Sequence, residues 1–571
     1  MQPRPHQTAT EDSLLLPPRD APHDAPPNCS PPPSPSLLTP WRAAAVGVSL
    51  WLLIFLEATN MSGMAIIQGP VATALDAPRR ARWFTTSYLI ATSSLAPLVG
   101  RLATIFSPRA LAPLVALLFA LGSLVASQAT TAHVFILGRV LAGAAGGGVL
   151  SLSVVFVLAL SKPHTRGVCF GLATAGITAG VSFGAVVYGG LLPVIGWRPL
   201  FWSQAPISMA LGLAIYLTAP LAMTAPKSAS TPHVSASVLK RLSQIDHVGA
   251  LLLTLTIVLF LYGLAGDIQL MYIAFSLVSG AAFISVEYLV AADPVIPLSV
   301  LSSRGVLLTC LGQLGLMSAR WSLLFYAPIF MLAVRGAAPA AAGSVLIPTN
   351  LGFVVGGVLA GSLHIRRSGS FWLPTLVVFA AAALSYLCLC LVASPSVAIS
   401  ALVAIVFFNG AATGAALNYS LAHLLHLSYP GTHFITSSLH STFRGLGSSF
   451  GTSIGGGIFF RLLRSSLIRG FQILDGSQDL SQSRKDLIVR LLAVPDAVHH
   501  GGLSLDEQQV AITGYSFAIK GVWKAAGVLV LVMVAVQAAT GWTSPSAKSL
   551  SDGQEGAGQA QGSETRDQVE E

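Results

Sequence analysis

Charged residues inside apolar stretches are the groups of this sequence that could do chemistry. Glu57 lies in an apolar run that begins after Trp41, and a carboxylate in hydrocarbon usually faces a cavity or an ionic partner. Burial and a nearby cation shift the proton affinity of a carboxyl group in opposite directions, so Glu57 is a candidate for binding and releasing a proton. The structural alternative is that Glu57 only stabilises a helix kink beside Asn60 and Gly63.

Three arginines occupy comparable positions. Arg320 lies in the middle of an apolar run, where it is a candidate contact for an anionic or hydroxyl-rich substrate. Arg139 also lies within an apolar run, and its structural alternative is an ion pair or hydrogen bonds to backbone carbonyls. Arg444 stands at the start of such a run, so the alternative for its long side chain is to reach the aqueous surface.

Uncharged polar and aromatic side chains extend this set. We predict a substrate cavity lined by Asn60, Gln313, Arg320, Tyr326 and Asn350. The alternatives are that the amides bridge helices, for about 0.6 kcal/mol each, and that the aromatic side chains around Tyr326 pack against neighbouring helices.

The sequence offers little sign of a metal site or of an enzyme's catalytic motif. His423, His426, His433 and His440 fall on a predicted internal loop without a cysteine or carboxylate nearby, so we predict no metal site. The sequence contains no phosphate-binding P-loop and no His-Glu-x-x-His motif. We therefore expect neither an enzymatic activity nor a cofactor.

The composition places these residues in a membrane protein. The chain has 571 residues, of which 53% are hydrophobic and 9% charged, and its mean hydropathy is +0.72. A soluble domain carries roughly 25% charged residues, so most of this chain must face lipid or other apolar helices. The basic residues stand in short stretches between apolar runs, as in cytoplasmic loops, which disfavours nucleic acid as a partner.

The apolar runs predict 14 transmembrane helices, because each run is long enough to cross a hydrocarbon core of about 30 Å. Their centres fall near residues 55, 91, 118, 146, 180, 211, 255, 278, 316, 353, 382, 406, 454 and 530. The excess of Lys and Arg in alternate loops predicts that both termini are cytosolic. We expect the plasma membrane, with a vacuolar or vesicle membrane as the alternative.

The loops suggest an internal duplication. Gly100-Arg101 follows the second predicted helix, and a glycine followed by basic residues at 361–369 follows the tenth. We therefore expect two six-helix halves around an inserted helix pair. The predicted segments are a disordered tail at 1–41, an N-terminal bundle at 42–222, a linker with helices 7 and 8 at 223–303, a C-terminal bundle at 304–543 with an external loop at about 464–514, and a disordered tail at 544–571.

Several motifs resemble the major facilitator superfamily, and in particular its 14-helix drug:proton antiporter branch common in fungi. The stretch 100–109 resembles the loop motif of the family, 137–143 its helix-4 motif, and 180–190 the antiporter motif of helix 5. The stretches 197–202, 245–249, 293–298 and 325–330 also match this branch. The chain departs from the family pattern at Thr104, Ser107 and Ala185.

The resemblance implies roles for residues at these motifs. It implies that Arg139 takes part in proton coupling together with Glu57. It also implies a set of residues that control the change between conformations: Gly100, Arg101, Arg109, Gly180, Gly184, Gly189 and Gly190. Thr104 replaces an Asp of the family's loop motif, so we expect the charge relay at that loop to be weaker or rebuilt.

The resulting hypothesis is a monomeric transporter that exports small amphiphilic molecules in exchange for protons. The large apolar, glycine-rich interior suits secondary metabolites, lipids with sugar heads, or drugs. The alternatives are an importer of similar architecture, such as a siderophore transporter, and a membrane sensor or enzyme without transport.

Overall fold

The fold is described from a computed structural model of the chain, which describes residues 39–161, 166–220, 247–289, 303–364, 370–428 and 433–541. Every regular element within these ranges is helical, so the predicted all-α class is confirmed. The predicted tails, except for residues 39–41, lie outside the described residues, as do residues 223–246 and 290–302 of the predicted linker segment at 223–303.

The described residues up to 220 form seven α-helices, and two of these, α6 and α7, are segments of one predicted span. They are α1 Pro40–Ala74, α2 Ala81–Ile105, α3 Pro108–Ser127, α4 Ala132–Leu160, α5 Arg166–Ile195, α6 Trp197–Trp202 and α7 Gln204–Thr218. A single 3-10 turn, Pro78–Arg80, connects α1 to α2.

The described residues from His247 onward form eleven further α-helices. They are α8 His247–Leu264, α9 Leu270–Leu289, α10 Arg304–Ala333, α11 Pro339–Ser344, α12 Leu346–Leu359, α13 Trp372–Val392, α14 Ile399–Leu427, α15 His433–Asp475, α16 Gln482–Ala493, α17 Ala497–His500 and α18 Leu505–Ala538. A π-helical turn, Ala360–His364, follows α12.

Local sequence explains where several helices begin. Pro108 opens α3, because proline at the first position lacks only an N–H that would be unpaired there anyway. The Thr131 hydroxyl accepts a hydrogen bond from the Val134 N–H at the start of α4. Ser504 and Glu507 form a reciprocal capping box at the start of α18.

Each of the fourteen predicted helix centres lies inside a helix. Eleven helices of the described residues are long and apolar enough to cross a membrane, with α6 and α7 counted as one span, and Val248–Leu264 is a shorter apolar helix. The polytopic membrane architecture is confirmed, whereas the number fourteen stays a prediction.

Helix contacts group the chain on either side of α8 and α9. In the first group α1 packs on α5 and α2 on α4, and in the second α12 packs on α14 and α10 on α15. The helices α8 and α9 pack on each other, and α8 also contacts α2 and α15. We retain the two-half division as a proposal and call α1–α7 the N-terminal half and α10–α18 the C-terminal half.

The segment at about 464–514, predicted as an external loop, is largely helical, and its external location stays a prediction. The helix α15 continues to Asp475, α18 begins at Leu505, and α16 and α17 lie between them. Arg484 on α16 donates to Asp475 at 3.0 Å and pairs with Glu507, and these hydrogen bonds raise the pKa of Arg484. The segment is therefore tied to both long helices.

The four histidines also lie elsewhere than predicted. His423 and His426 belong to α14, and His433 and His440 belong to α15, so they are not on a loop. The imidazole of the buried His440 is 3.2 Å from the Ser420 hydroxyl, and that of His423 is 2.9 Å from the Thr540 hydroxyl.

Glycines set the distance between helices at crossings within each half. Gly143 on α4 faces the backbone of Tyr88 on α2, and a methyl group at this position would overlap the Tyr88 carbonyl oxygen. Gly410 on α14 faces the Thr349 carbonyl on α12 in the same way. Small residues thus let backbones approach directly, as is typical of helix packing in membranes.

We predict that Gly143→Ala lowers the thermal stability of the purified protein by an amount equivalent to about 1–3 kcal/mol, because the added methyl group forces α2 and α4 apart. Gly47→Ala is the matched control, since a Cβ there meets no heavy atom within 4 Å and alanine favours a helix over glycine by about 1 kcal/mol. Equal melting temperatures of the two variants would contradict the close crossing.

Candidate functional site

Glu57 is buried at the centre of the N-terminal half. Its side chain on α1 is 2% exposed, and the hydroxyl of Tyr88 on α2 donates to Glu57 Oε1 at 3.1 Å. Gly146 on α4 leaves room for this carboxyl group, because a Cβ there would lie 3.2 Å from Glu57 Cγ. Three helices therefore converge on one carboxyl group.

Arg139 on α4 lies on the other side of Tyr88. Its guanidinium carbon is 4.3 Å from the centroid of the Tyr88 ring, its Nε donates to the Phe84 carbonyl at 2.9 Å, and one NH2 group donates to Asn60 Oδ1. Arg139 has no exposed surface. Its hydrogen bond to a backbone carbonyl is the structural alternative foreseen from the sequence, and it coexists with the polar contacts that lead toward Glu57.

Glu57 and Arg139 do not form a direct ion pair within 4 Å. The phenol of Tyr88 instead stands between them, with its hydroxyl on the carboxyl group and its ring against the guanidinium. Sequence analysis did not select Tyr88, because a tyrosine in an apolar run is ordinary and its partners come from two other helices. The trio of Glu57, Tyr88 and Arg139 can hold one proton on a buried carboxyl group beside a fixed positive charge.

A hydrogen-bonded chain extends the trio toward α5 and α7. Asn60 Nδ2 donates to Gln204 Oε1 at 2.7 Å, and Gln204 Nε2 donates to the Leu200 carbonyl at 3.0 Å and to the Tyr188 hydroxyl. The structure therefore brings together Glu57, Arg139 and Asn60 from the sequence analysis, and adds Tyr88 and Tyr188. Tyr188 lies within the stretch that resembles the antiporter motif, which was its one sequence signal.

A second polar centre lies in the C-terminal half. Arg320 on α10 is 3% exposed and donates to Asn350 Oδ1 on α12 at 2.8 Å. Its guanidinium carbon is 4.0 Å from the centroid of the Phe353 ring. Asn350 Nδ2 donates in turn to the Ser182 hydroxyl on α5 at 2.8 Å, so this centre reaches across to the N-terminal half.

The other two predicted cavity residues are not among the contacts of Arg320. Gln313 is fully buried and accepts from the Ser420 hydroxyl at 3.2 Å. Tyr326 packs against Phe325 and Phe459, with ring centroids 5.1 and 4.8 Å away. These contacts are typical of side chains that join neighbouring helices, and a place for either residue in a cavity stays a prediction.

The glycines of α5 that were expected to control conformation lie at helix crossings. Gly180 and Gly184 face the backbone of α1, where an added Cβ would overlap the carbonyl oxygens of Phe55 and Thr59. Gly189 faces α11 of the other half, with a Cβ position 2.6 Å from the Pro339 carbonyl carbon. The α5 helix therefore packs against both halves.

The remaining members of that set lie apart from α5. A Cβ on Gly190 would only touch Ala340 at 3.8 Å, and one on Gly100 would meet no heavy atom within 4 Å. Arg109 Nε donates to the Tyr216 carbonyl at 2.7 Å. The side chain of Arg101 lies outside the described residues. The structure thus does not join the loop after α2 to the α5 glycines.

Comparisons with known proteins agree with this architecture. A family model described as Major Facilitator Superfamily matches residues 50–452. The chain is similar to "MFS transporter L2" of a Phoma species, at 24% identity over 86% of this chain and 80% of that protein. It is also similar to "Efflux pump dotC" of Dothistroma septosporum, at 27% identity over 58% of this chain and 57% of that protein.

A solved structure supports the fold alone. It is a bacterial homologue of the human lysosomal transporter Spinster, in an inward-facing, occupied conformation, with a TM-score of 0.58 at 13% identity. The match covers 88% of this chain and 97% of that one.

We predict that Asn60→Ala lowers stability by about 2 kcal/mol, because it removes an acceptor from the buried cation of Arg139. Asn418→Ala is the control, since that amide makes one hydrogen bond, to the neutral Gly357 carbonyl, and a bond of this kind contributes about 0.6 kcal/mol in a membrane protein. Thermal unfolding of the purified variants in one detergent measures the difference. A loss for Asn418→Ala as large as that for Asn60→Ala would contradict the importance assigned to Arg139.

Proposed function

The chain belongs to the Major Facilitator Superfamily, and from this premise we propose that it exports small amphiphilic organic molecules in exchange for protons. The observation that carries the proton coupling is the buried Glu57, hydrogen-bonded to Tyr88 and separated from Arg139 by one phenol ring. A carboxyl group held in this way can exist in a protonated and an ionised form, and the fixed cation favours the ionised one.

The distribution of acidic residues singles out Glu57. The sequence contains no Asp or Glu between Asp76 and Asp246, and none between Asp293 and Asp475. The helices α2–α7 and α10–α14 therefore carry no carboxyl group at all. Glu57 is the one acidic side chain available to the interior of the N-terminal half for carrying a proton.

Energetics make a permanently ionised Glu57 costly. Removing a carboxylate from water costs several kcal/mol even after relaxation, and its one hydrogen bond in the structure comes from a neutral phenol. Protonation in one conformation and release in the other would remove this cost at alternate steps. A proton gradient can then drive the change between conformations.

The names of similar proteins support the outward direction. One of them is called an efflux pump. We further propose that the protein acts as a monomer in the plasma membrane with both termini in the cytosol. Import and a non-transporting role are the outcomes that the experiment below separates from export.

We predict that Glu57→Gln abolishes exchange driven by a pH gradient while the protein still inserts and folds, because glutamine keeps the shape and the hydrogen bond but cannot release a proton. The measurement is metabolite profiling of cells and medium after deletion of the gene and its restoration with wild type or the variant. Asp267→Asn is the control, since Asp267 is exposed in a surface ion pair of little energetic value.

Accumulation of a compound inside the deletion strain that leaves only with wild type would support export. Loss of uptake of an external compound would establish import instead. Normal extrusion against a gradient by Glu57→Gln would exclude Glu57 as the coupling group.

A further inference from the structure

The C-terminal half contains buried positive charge without any negative charge to balance it. Arg320 on α10 and Arg444 on α15 both lie inside helices, and the sequence has no Asp or Glu from residue 294 to residue 474. The acidic residues of this half lie in the segment from Asp475 to Glu507, at one end of the half. Neither arginine forms an ion pair among the described residues.

Arg320 is the more deeply buried cation. Its described partners are the Asn350 amide oxygen and the Phe353 ring, and its second NH2 group has no hydrogen-bond partner among the described residues. A buried charge is usually paired and fully hydrogen-bonded, because an uncompensated one costs several kcal/mol. The protein therefore retains at Arg320 a charge that its own side chains do not neutralise.

Arg444 faces the same region from another helix. It is half-buried, and its two NH2 groups lie 3.3 and 3.4 Å from the Thr174 hydroxyl on α5. Like charges repel, so each arginine adds to the cost of burying the other.

The two arginines meet one helix of the opposite half. Arg444 contacts Thr174, and Arg320 reaches Ser182 through Asn350. Thr174 and Ser182 are eight residues apart on α5, or about 12 Å along the helix. Two cations of one half and two hydroxyls of the other thus lie along the interface between the halves.

Arg139 is the buried arginine of the N-terminal half, and one of its NH2 groups likewise has no described hydrogen-bond partner. It bonds to the Phe84 carbonyl and the Asn60 amide and has Glu57 on the far side of Tyr88. Arg320 and Arg444 have no corresponding carboxyl group. The difference between the halves points to a negative charge that arrives with a ligand.

We propose that Arg320 and Arg444 bind the anionic group of the cargo, which is therefore an organic anion with a carboxylate or a similar charged oxygen group. This inference rests on the proposed transport function and names its substrate class. A guanidinium presents paired N–H donors that match two carboxylate oxygens, and the free NH2 group of Arg320 supplies a donor that no described side chain uses. The Thr174 hydroxyl adds a neutral polar group from the other half.

The interface is open beside Arg444. Cβ atoms built on Gly445, next to Arg444, and on Gly171, one turn from Thr174, meet no heavy atom within 4 Å. At Gly189, farther along α5, the halves are instead in backbone contact. A cargo entering from the open side meets Arg444 first and Arg320 deeper.

The test compares the binding of 1-naphthoate with that of the isosteric neutral 1-naphthamide. Binding to the full-length protein in phosphatidylcholine nanodiscs is measured by thermal shift and calorimetry. We expect naphthoate to bind at least about tenfold more tightly, since hydrogen bonds to a charged group are the stronger ones. Arg320→Gln should remove this preference, Arg320→Lys should restore part of it, and Arg304→Gln, on the exposed end of the same helix, should keep it.

The variants remain informative because Arg320→Gln removes an unpaired buried charge, so the empty protein should melt no lower than wild type. Equal or tighter binding of the amide, or no binding of naphthoate up to its solubility limit, would overturn the proposal. Stabilisation by added phosphatidylglycerol but not by naphthoate would assign the arginines to a lipid headgroup and also overturn it.

The binding test is separate from the test of proton-driven export. Glu57→Gln should retain the preference for naphthoate, because Glu57 lies outside the arginine site. If naphthoate binds selectively but no pH-driven export is found, the transport proposal fails and the anion site stands. If a neutral compound is exported and charge selectivity is absent, the anion-site proposal fails and the transport proposal stands.

Discussion

The structure depends on how charge is held away from water. Removing an ion from water costs several kcal/mol, and the helices that form the interior contain very few ionisable groups. The buried ionisable groups differ in the partners that stabilise their charge. Arg139 has two acceptors and an aromatic ring, Glu57 has one phenol donor, and Arg139 and Arg320 each keep one NH2 group without a described partner. The functional proposals concern the buried ionisable groups whose charge is not fully compensated by the protein.

Glycine makes these arrangements possible by removing side chains from the helix crossings. At Gly143 the backbone of α4 rests on that of α2 beside Tyr88, the residue that separates the carboxyl group from the guanidinium. At Gly180 and Gly184 the backbone of α5 rests on α1 on either side of the turn that carries Glu57. Small residues at these crossings let the helix backbones pack directly against one another.

The sequence was sufficient for the helices and for the buried charges, because both follow from composition along one segment. All fourteen helix centres and the buried positions of Glu57, Arg139 and Arg320 follow from runs of apolar residues. The role of Tyr88 could not be predicted, since its two partners lie on α1 and α4 and only packing brings them together. The helices around Asp475 were predicted as a loop because their sequence is polar. Arg484 holds them together through its contacts with Asp475 and Glu507.

The positions of the two polar centres give α5 a distinct mechanical role. One face of α5 packs on α1 through Gly180 and Gly184, next to Glu57, while Ser182, between these glycines in sequence, accepts from Asn350 in the other half. The helix of Glu57 and the partner of Arg320 are therefore joined by one helix rather than by a chain of flexible side chains. Coupling between two sites requires an element whose position both of them bias, and α5 contacts α1 on either side of Glu57 and Asn350 beside Arg320.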